Sequence, residues 1–234
     1  VNDLAERTPP TTAAEVRLAM LQFPLKQVGN EQGDLGVLAS LYNGGDNMLK
    51  LSDISETDRL KKLNNITIKG AVSAFLSDNI ILLNEVTNTY GKIKDWDTSE
   101  VTNMQGLFSN SGFNEDISKW DTSKVANMGS MFYRASAFNQ DLSKWDVGQV
   151  TDMGFMFYTA TAFNQDLSAW DVGQVTNMES MFNSASAFNK DLSKWNVSQV
   201  TNTQYMFSNA SDFNQDLSAW DVGRVTNMHG MFWS

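Results

Sequence analysis

The side chains that could do chemistry in this sequence are carboxylates and one histidine. Asp or Asn recurs in two columns at a spacing of 24 or 25 residues, His229 is the only histidine, and cysteine is absent. The chain therefore lacks the residues for a thiolate nucleophile, a catalytic triad or a histidine metal site. Paired carboxylates could support hydrolysis, but every repeat contains the same ones, and an enzyme site would break the repeat at one place. The sequence predicts no catalytic residue and no enzyme.

The first carboxylate column directly follows a column of tryptophans. Asp and Asn are preferred at the N-cap of a helix, and a Glu or Gln three residues later completes a capping box in four of the six repeats. We therefore assign this column to helix capping. Its members are Asp97, Asp121, Asp146, Asp171, Asn196 and Asp221.

The second carboxylate column lies in a turn after a Phe-Asn pair. Stacked like charges repel one another unless each is hydrogen-bonded or a cation lies between them. The sequence favours Asp side chains bonded to the turn backbone and no cofactor. Calcium, which prefers several oxygen ligands, is the weaker alternative, because no repeat has the dense Asp-Gly spacing of calcium-binding repeats. The members of this column are Asp116, Asp141, Asp166, Asp191 and Asp216.

Both columns belong to a tandem repeat whose six units begin at tryptophan. With tryptophan as position 0, apolar residues recur at positions 5, 8, 11, 12, 15, 18 and 22. Positions 5 to 15 fall within one helical stripe about 120° wide, which predicts an amphipathic helix of about three turns. The "LSKW" or "LSAW" stretch predicts a short parallel strand. The tryptophans are Trp96, Trp120, Trp145, Trp170, Trp195 and Trp220.

One strand and one helix cannot bury their apolar side chains alone, so the repeats are expected to stack as an α/β solenoid. We divide the chain into a helical N-terminal segment at 1–66, a possible docking region, an N-terminal cap of the solenoid at 67–95, and six tandem repeats at 96–234, the last incomplete. Helical periodicity is found at 11–23, 33–42 and 55–63, and 67–91 is expected to form a helix followed by a turn. The chain starts without Met and ends inside a repeat, so we expect a piece of a longer protein.

Recurring words make the repeat recognisable: "WDTS", "WDV", "VTNM", "MF" and "FNQDLS", with the lead-in "YGKIKDWDTSEVTNM". The repeat resembles that of the BspA-like leucine-rich-repeat family, a 25–26-residue repeat of bacterial surface proteins that is also widespread in algae and protists. The resemblance covers about residues 67–234. It implies a leucine-rich-repeat-like solenoid used for adhesion or protein–protein contact, often at a cell surface, with no catalytic residues to transfer.

Charge narrows the class of partner. The net charge is −10, and residues 96–234 contain 7 basic and 15 acidic groups, so a nucleic-acid partner is not expected. No apolar run reaches 18 residues, so no membrane span is expected within this chain. The expected partners are other proteins.

Positions 10 and 13 differ between repeats and are expected on the helix face opposite the core. Aromatic residues there would form an outward patch across adjacent repeats, a composition enriched at interfaces. The alternative is scattered exposed aromatics, which are common on protein surfaces. The predicted partner-binding residues are Tyr133, Phe155, Tyr158, Tyr205 and Trp233.

Two functions remain open. The first is a non-catalytic repeat scaffold for protein–protein interaction, as a secreted or surface module. The second is a structural subunit of a larger, organellar membrane assembly that docks through its N-terminal segment and helix face. A hydrolase acting on glycans is a distant third, which would need a carboxylate pair outside the repeat register. The sequence does not fix the compartment: secreted, cell-surface or organelle-associated.

Overall fold

The computed structural model describes residues 61–234. It contains two helices, α1 (Thr67–Phe75) and α2 (Ile80–Tyr90), followed by a short 3₁₀ turn (Ile93–Asp95) and then the repeats. The helices predicted at 11–23 and 33–42 lie outside the described residues, as does most of the one at 55–63. The described part of that last segment, 61–63, is not helical.

The helical region differs from the single helix predicted in 67–91, because a cap interrupts it. Asn79 has an extended backbone, and its side chain accepts hydrogen bonds from the N–H groups of Ile81 (2.9 Å) and Leu82 (3.4 Å). This is an N-cap, and it starts a second helix. Gly91, at φ 79°, ends that helix in the left-handed region that glycine adopts readily.

These helices pack against the first repeat. The Phe75 ring meets Trp96 edge-on at 6.1 Å and Phe113 at 6.4 Å. The Trp96 indole N–H donates to the Gly91 carbonyl at 3.1 Å. Asn65 adds a polar contact, since its side-chain oxygen accepts the N–H of Thr102 at 2.8 Å. The role of 67–95 as a solenoid cap stays a prediction.

Each repeat contains a run of tight turns where a helix was predicted. In repeat 2 the N–H groups of Met131, Tyr133 and Ala135 donate to carbonyls three residues earlier, at 3.0–3.1 Å. An α-helix requires donation to the carbonyl four residues earlier. The repeat helix predicted from the sequence is therefore wrong at the level of hydrogen bonding.

The intervening N–H groups point out of the repeat, to its neighbour. Those at positions 8, 10, 12 and 14 of repeat 2 donate to carbonyls of repeat 3, at 2.7–3.0 Å. This explains the failed helix prediction, because backbone donors used between repeats are not available within a helix. Positions 10 and 14 adopt positive φ, as at Ser130 (57°) and Arg134 (56°).

The only parallel pairing described within residues 96–234 lies in "VTNM", at position 7, and consists of isolated bridges such as Asn127 to Asp152. The strand predicted in "LSKW" is wrong. That stretch is a turn in which Trp145 N–H donates to the Leu142 carbonyl at 3.1 Å. The Asp141 carboxylate closes the same turn by accepting the Ser143 N–H at 2.8 Å.

Stacked side chains fill the space between repeats. Phe132, Phe157, Phe182 and Phe207 at position 12 form a column with ring centroids 5.5–5.6 Å apart. All seven apolar positions predicted for the core are 0% exposed in repeat 2. Burying one phenylalanine stabilises a fold by about 1.5–3 kcal/mol. Among residues 61–234, no helix is both long and apolar enough to cross a membrane.

Candidate functional site

The aromatic residues predicted to bind a partner form two clusters on the surface of the repeats. In the first, the rings of Tyr133 and Tyr158 stack at 4.9 Å with an interplanar angle of 11°, and Phe155 lies 6.0 Å from Tyr158. In the second, Tyr205 lies 6.1 Å from Trp233, which is 65% exposed. We call these five residues the aromatic surface. The sequence predicted one continuous patch, and the structure shows two clusters facing each other.

The run of tight turns in each repeat positions these rings, whereas the sequence had suggested a helix. Phe155 and Tyr205 occupy position 10, with φ of 59° and 53°. A left-handed backbone costs a residue other than glycine roughly 1–2 kcal/mol. Hydrogen bonds between repeats hold this conformation: Phe155 N–H donates to the Glu179 carbonyl at 2.7 Å, and Tyr205 N–H to that of His229 at 2.9 Å.

A groove of about 590 Å³ separates the two clusters. Phe155 and Tyr158 line one side, and Tyr205 and Trp233 line the other. The groove exists because repeat 4 has small polar residues at positions 10 and 13, where repeat 3 has Phe155 and Tyr158, and because repeat 5 is aromatic at position 10 only, with Ser208 at position 13. Its floor is formed by Glu179, Ser180, Asn183, Ser184, Ser208 and Asn209.

The floor is polar and contains no lysine or arginine. The Ser184 hydroxyl donates to the Asn183 side-chain oxygen at 2.8 Å. The Ser208 hydroxyl accepts from the Asn209 amide at 3.3 Å. Ser180 is only 3% exposed, and within residues 61–234 its hydroxyl has no hydrogen-bond partner.

These floor residues were missed as site residues, because positions 10 and 13 were assumed to point outward from a helix. Ser180 and Ser208 are instead buried, at 3% and 2% exposure. The available signal was the loss of aromatic residues at both positions of repeat 4 and at position 13 of repeat 5, next to a repeat 3 that has them at both.

Two charged or titratable residues extend the aromatic surface. The Arg134 guanidinium lies over the Tyr133 ring, 5.2 Å from its centroid, at a distance suited to a cation–π contact. His229 is exposed, and its ring meets Tyr205 edge-on at 5.2 Å.

The carboxylate columns serve local turns. In the first column, Asp146 accepts the N–H of Gly148, two residues later, at 3.0 Å. This is an Asx turn, so the helix-capping assignment for this column is wrong. In the second column the backbone N–H of the serine two residues later lowers the pKa of each carboxyl below its usual value. Among residues 61–234, no three Asp, Glu or His residues gather to hold a metal.

Comparison with protein families yields a match to part of the chain. The family model described as "Mycoplasma protein of unknown function, DUF285" matches residues 79–176 and 145–234. No curated protein and no solved structure matches the chain. The matching model is not one of a leucine-rich-repeat or BspA-like family, so the resemblance inferred from the repeat words is corrected by this finding. Since the matched ranges together span more than half of the sequence, the chain belongs to the DUF285 family.

Proposed function

We propose that this chain is a non-catalytic scaffold for protein–protein interaction, in which the repeats form a solenoid and the aromatic surface contacts the partner. The observation that supports this function is the clustering of five aromatic side chains that reach the surface, of which Trp233 is exposed and the other four are half-buried. The phenylalanines of the position 12 column are 0–3% exposed in repeats 2 to 5, whereas Trp233 is 65% exposed.

The composition of this surface suits a protein partner. Tyrosine, tryptophan and arginine are enriched among the residues that dominate binding energy at interfaces. Tyr133, Tyr158 and Arg134 lie together on the first cluster. The stacked tyrosines are already ordered against each other, so binding would immobilise fewer side chains.

A non-catalytic role is supported by what the carboxylates do. Asp141, Asp166 and Asp191 each accept the N–H of the serine two residues later, at 2.8–2.9 Å. The same arrangement recurs from repeat to repeat, so no single repeat is distinguished by its acidic groups.

A second candidate is a structural subunit of a larger assembly, which the surface of the two helices favours. Ile66 is 88% exposed, Ile80 64% and Ile81 65%. An apolar group of this kind often marks a contact site. The docking segment predicted at 1–66 lies mostly outside the described residues, so this candidate rests on the helices.

The test compares three tagged forms of the full chain, each purified gently from the native source with quantitative mass spectrometry of the proteins that accompany it. They are the wild type, the double variant Tyr133→Ser/Tyr158→Ser, and the control Lys144→Ser/Lys194→Ser, which changes two exposed lysines outside the aromatic surface. We expect at least one protein to accompany the wild type and the control at fixed stoichiometry, and to be lost from the tyrosine variant.

An identical set of proteins with all three forms would contradict a role for the aromatic surface. The variant Ile80→Ser/Ile81→Ser separates the two candidates. Loss of several subunits together from this variant alone would favour the structural-subunit function.

A further inference from the structure

We infer that the groove between the two aromatic clusters binds a neutral carbohydrate chain. Sugar rings would lie against Phe155 and Tyr158 on one side and Tyr205 and Trp233 on the other, with their hydroxyls on the polar floor. This inference goes beyond the proposed function, because it assigns the groove a ligand that is not a protein.

The spacing of the repeats sets the width of the groove. Equivalent rings in successive repeats lie 4.9–6.4 Å apart, and Phe155 and Tyr205 occupy the same position two repeats apart, about 10–13 Å along the stack. A flat aromatic ligand sandwiched at van der Waals contact needs only about 7 Å. A pyranose ring is thicker than a planar ring and presents C–H groups on its faces, so it suits the wider gap.

The Tyr205 ring is held on its own side of the groove. It lies against the backbone of Gly230, where any Cβ would collide with the ring. Gly230 has a φ of 59°, which glycine adopts without strain. Glycine at this position therefore lets Tyr205 lean towards repeat 6, which keeps the groove open above Ser180.

The floor matches hydroxyl groups better than a peptide backbone. Serine hydroxyls and the Asn183 amide both donate and accept, and the Glu179 carboxylate accepts only. A sugar hydroxyl also does both. The Asn202 amide already donates to one Glu179 oxygen at 3.1 Å, which leaves the other oxygen for a ligand. A proline-rich segment, the peptide that usually occupies aromatic grooves, presents mainly carbonyl acceptors, so it would offer that second oxygen no donor.

Charge excludes anionic ligands from the same groove. Lysine and arginine are absent from the residues that line it, and Glu179 contributes a negative charge. Residues 96–234 have a net charge of −8, from 7 basic and 15 acidic groups. Phosphorylated or acidic sugars would therefore be repelled, which leaves neutral ones.

The Ser180 hydroxyl is the most specific sign of a ligand. It lines the groove, is 3% exposed, and has no hydrogen-bond partner within residues 61–234. A buried polar group without a partner is unfavourable, and such groups in a folded protein call for an explanation. A sugar hydroxyl in the groove would supply the missing partner.

The test uses two matched pairs of variants of the full chain. Ser180→Ala is paired with Ser130→Ala, because both serines occupy position 10 with φ of 52° and 57°, and only Ser180 lines the groove. Ser208→Ala is paired with Ser109→Ala, because each hydroxyl accepts from the following asparagine, and only Ser208 lines the groove. Isothermal titration calorimetry measures binding of cellohexaose, laminarihexaose, mannohexaose and chitohexaose, with decaproline as the peptide probe.

We expect the wild type to bind at least one hexasaccharide. Ser180→Ala and Ser208→Ala should each weaken that binding roughly three- to tenfold, since each removes one hydrogen bond. Ser130→Ala and Ser109→Ala should leave it unchanged. Ser180→Ala should not lower the unfolding midpoint more than Ser130→Ala does, which separates lost binding from lost folding.

Three outcomes would overturn the inference: no heat with any hexasaccharide at millimolar concentration, binding of decaproline alone, or equal effects within both serine pairs. The first and third outcomes do not bear on the scaffold function, which is tested by protein capture with the tyrosine variant, whereas binding of decaproline alone would favour a protein partner on the aromatic surface. Conversely, hexasaccharide binding that survives Tyr133→Ser would stand even if no protein partner were captured.

Discussion

Repeats 4 and 6 have similar sequences, yet their equivalent side chains differ in burial. Residues 170–182 of repeat 4 and 220–232 of repeat 6 are identical at 10 of 13 positions. Met178 and Phe182 are 0% exposed, whereas the equivalent Met228 is 43% exposed and Phe232 is 60% exposed. Because the residue types at these positions are the same, the burial of Met178 and Phe182 must come from the neighbouring repeat rather than from their own repeat.

The backbone shows the same contrast. Phe182 N–H donates to the Met206 carbonyl of the following repeat at 2.9 Å. The N–H of Phe232 has no such acceptor among residues 61–234. Each repeat is thus completed by the one after it, as expected of an array stabilised by nearest neighbours.

The largest expected effect comes from replacing the equivalent phenylalanine in each of the two repeats with alanine. Phe182→Ala should lower the free energy of unfolding by about 3–5 kcal/mol, because it empties a packed position between two stacked rings. Phe232→Ala removes a side chain that is already 60% exposed and should cost less than about 1 kcal/mol. Urea unfolding followed by tryptophan fluorescence measures both. Equal losses would show that burial is set within each repeat.

A smaller effect on stability is expected from the asparagine ladder, the column in which the asparagine of one repeat accepts a hydrogen bond from the asparagine of the next. The Asn139 side-chain oxygen accepts the Asn164 N–H at 3.0 Å and the Gln165 amide at 2.9 Å, both in the next repeat. Asn139→Ala should cost about 1 kcal/mol, because it leaves two donors without this partner. Asn214→Ala is the matched control, since Asn214 still donates its own N–H to Asn189 and its side chain accepts nothing within residues 61–234. A drop in the urea midpoint of similar size in both variants would argue against the ladder.

The smallest expected effect is the loss of stability at acid pH, and it should be the same for Asp166 and for the equivalent Asp216 two repeats later. The partner of each turn carboxylate lies in its own repeat, and the backbone N–H of the following serine lowers the pKa of Asp166 and of Asp216 alike. A lowered folded-state pKa means that the unfolded chain takes up protons first. The stabilisation is therefore complete above the usual value of 3.8 and is lost as pH falls through the lowered pKa.

Unfolding midpoints of the wild type and of Asp166→Asn, measured from pH 6 to pH 2.5, test this. Asparagine can accept the same turn hydrogen bond but does not titrate, so the variant should lose less stability below about pH 4. Asp216→Asn should show the same change. An effect confined to Asp166 would mean that the neighbouring repeat also sets its pKa.

The sequence allowed the register and the core to be predicted. The tryptophan spacing located every repeat, and the apolar positions of repeat 2, from Val125 to Leu142, are buried as expected. Apolar spacing reports which side chains face inward. It does not report whether a backbone N–H donates within the repeat or to the next one, and for that reason both the helix and the strand were misplaced.

The residues of the aromatic surface were named from the sequence, but their arrangement in two clusters was not predicted. Tyr133 and Tyr158 do meet, at 4.9 Å. The groove beyond them depends on Ser180 being buried at a left-handed position, which no single-residue preference indicates. A site that emerges from the gap between two repeats is visible only when the repeats are placed side by side.

The backbone hydrogen bonds between repeats also give the stack a dipole along its axis. At positions 8, 10, 12 and 14 of repeat 2, every N–H points to repeat 3, and the carbonyls that receive them point back. At position 6 one N–H points the other way, since Ala126 donates back to the Thr102 carbonyl of repeat 1. The four forward dipoles outnumber it, so a net dipole remains along the axis, much as along an α-helix. At the last repeat the N–H groups of Met228, Gly230 and Phe232 donate to no backbone carbonyl within residues 61–234. Within residues 61–234, that end of the stack therefore has a partial positive charge, beside which a carboxylate would be stabilised and a lysine would be repelled.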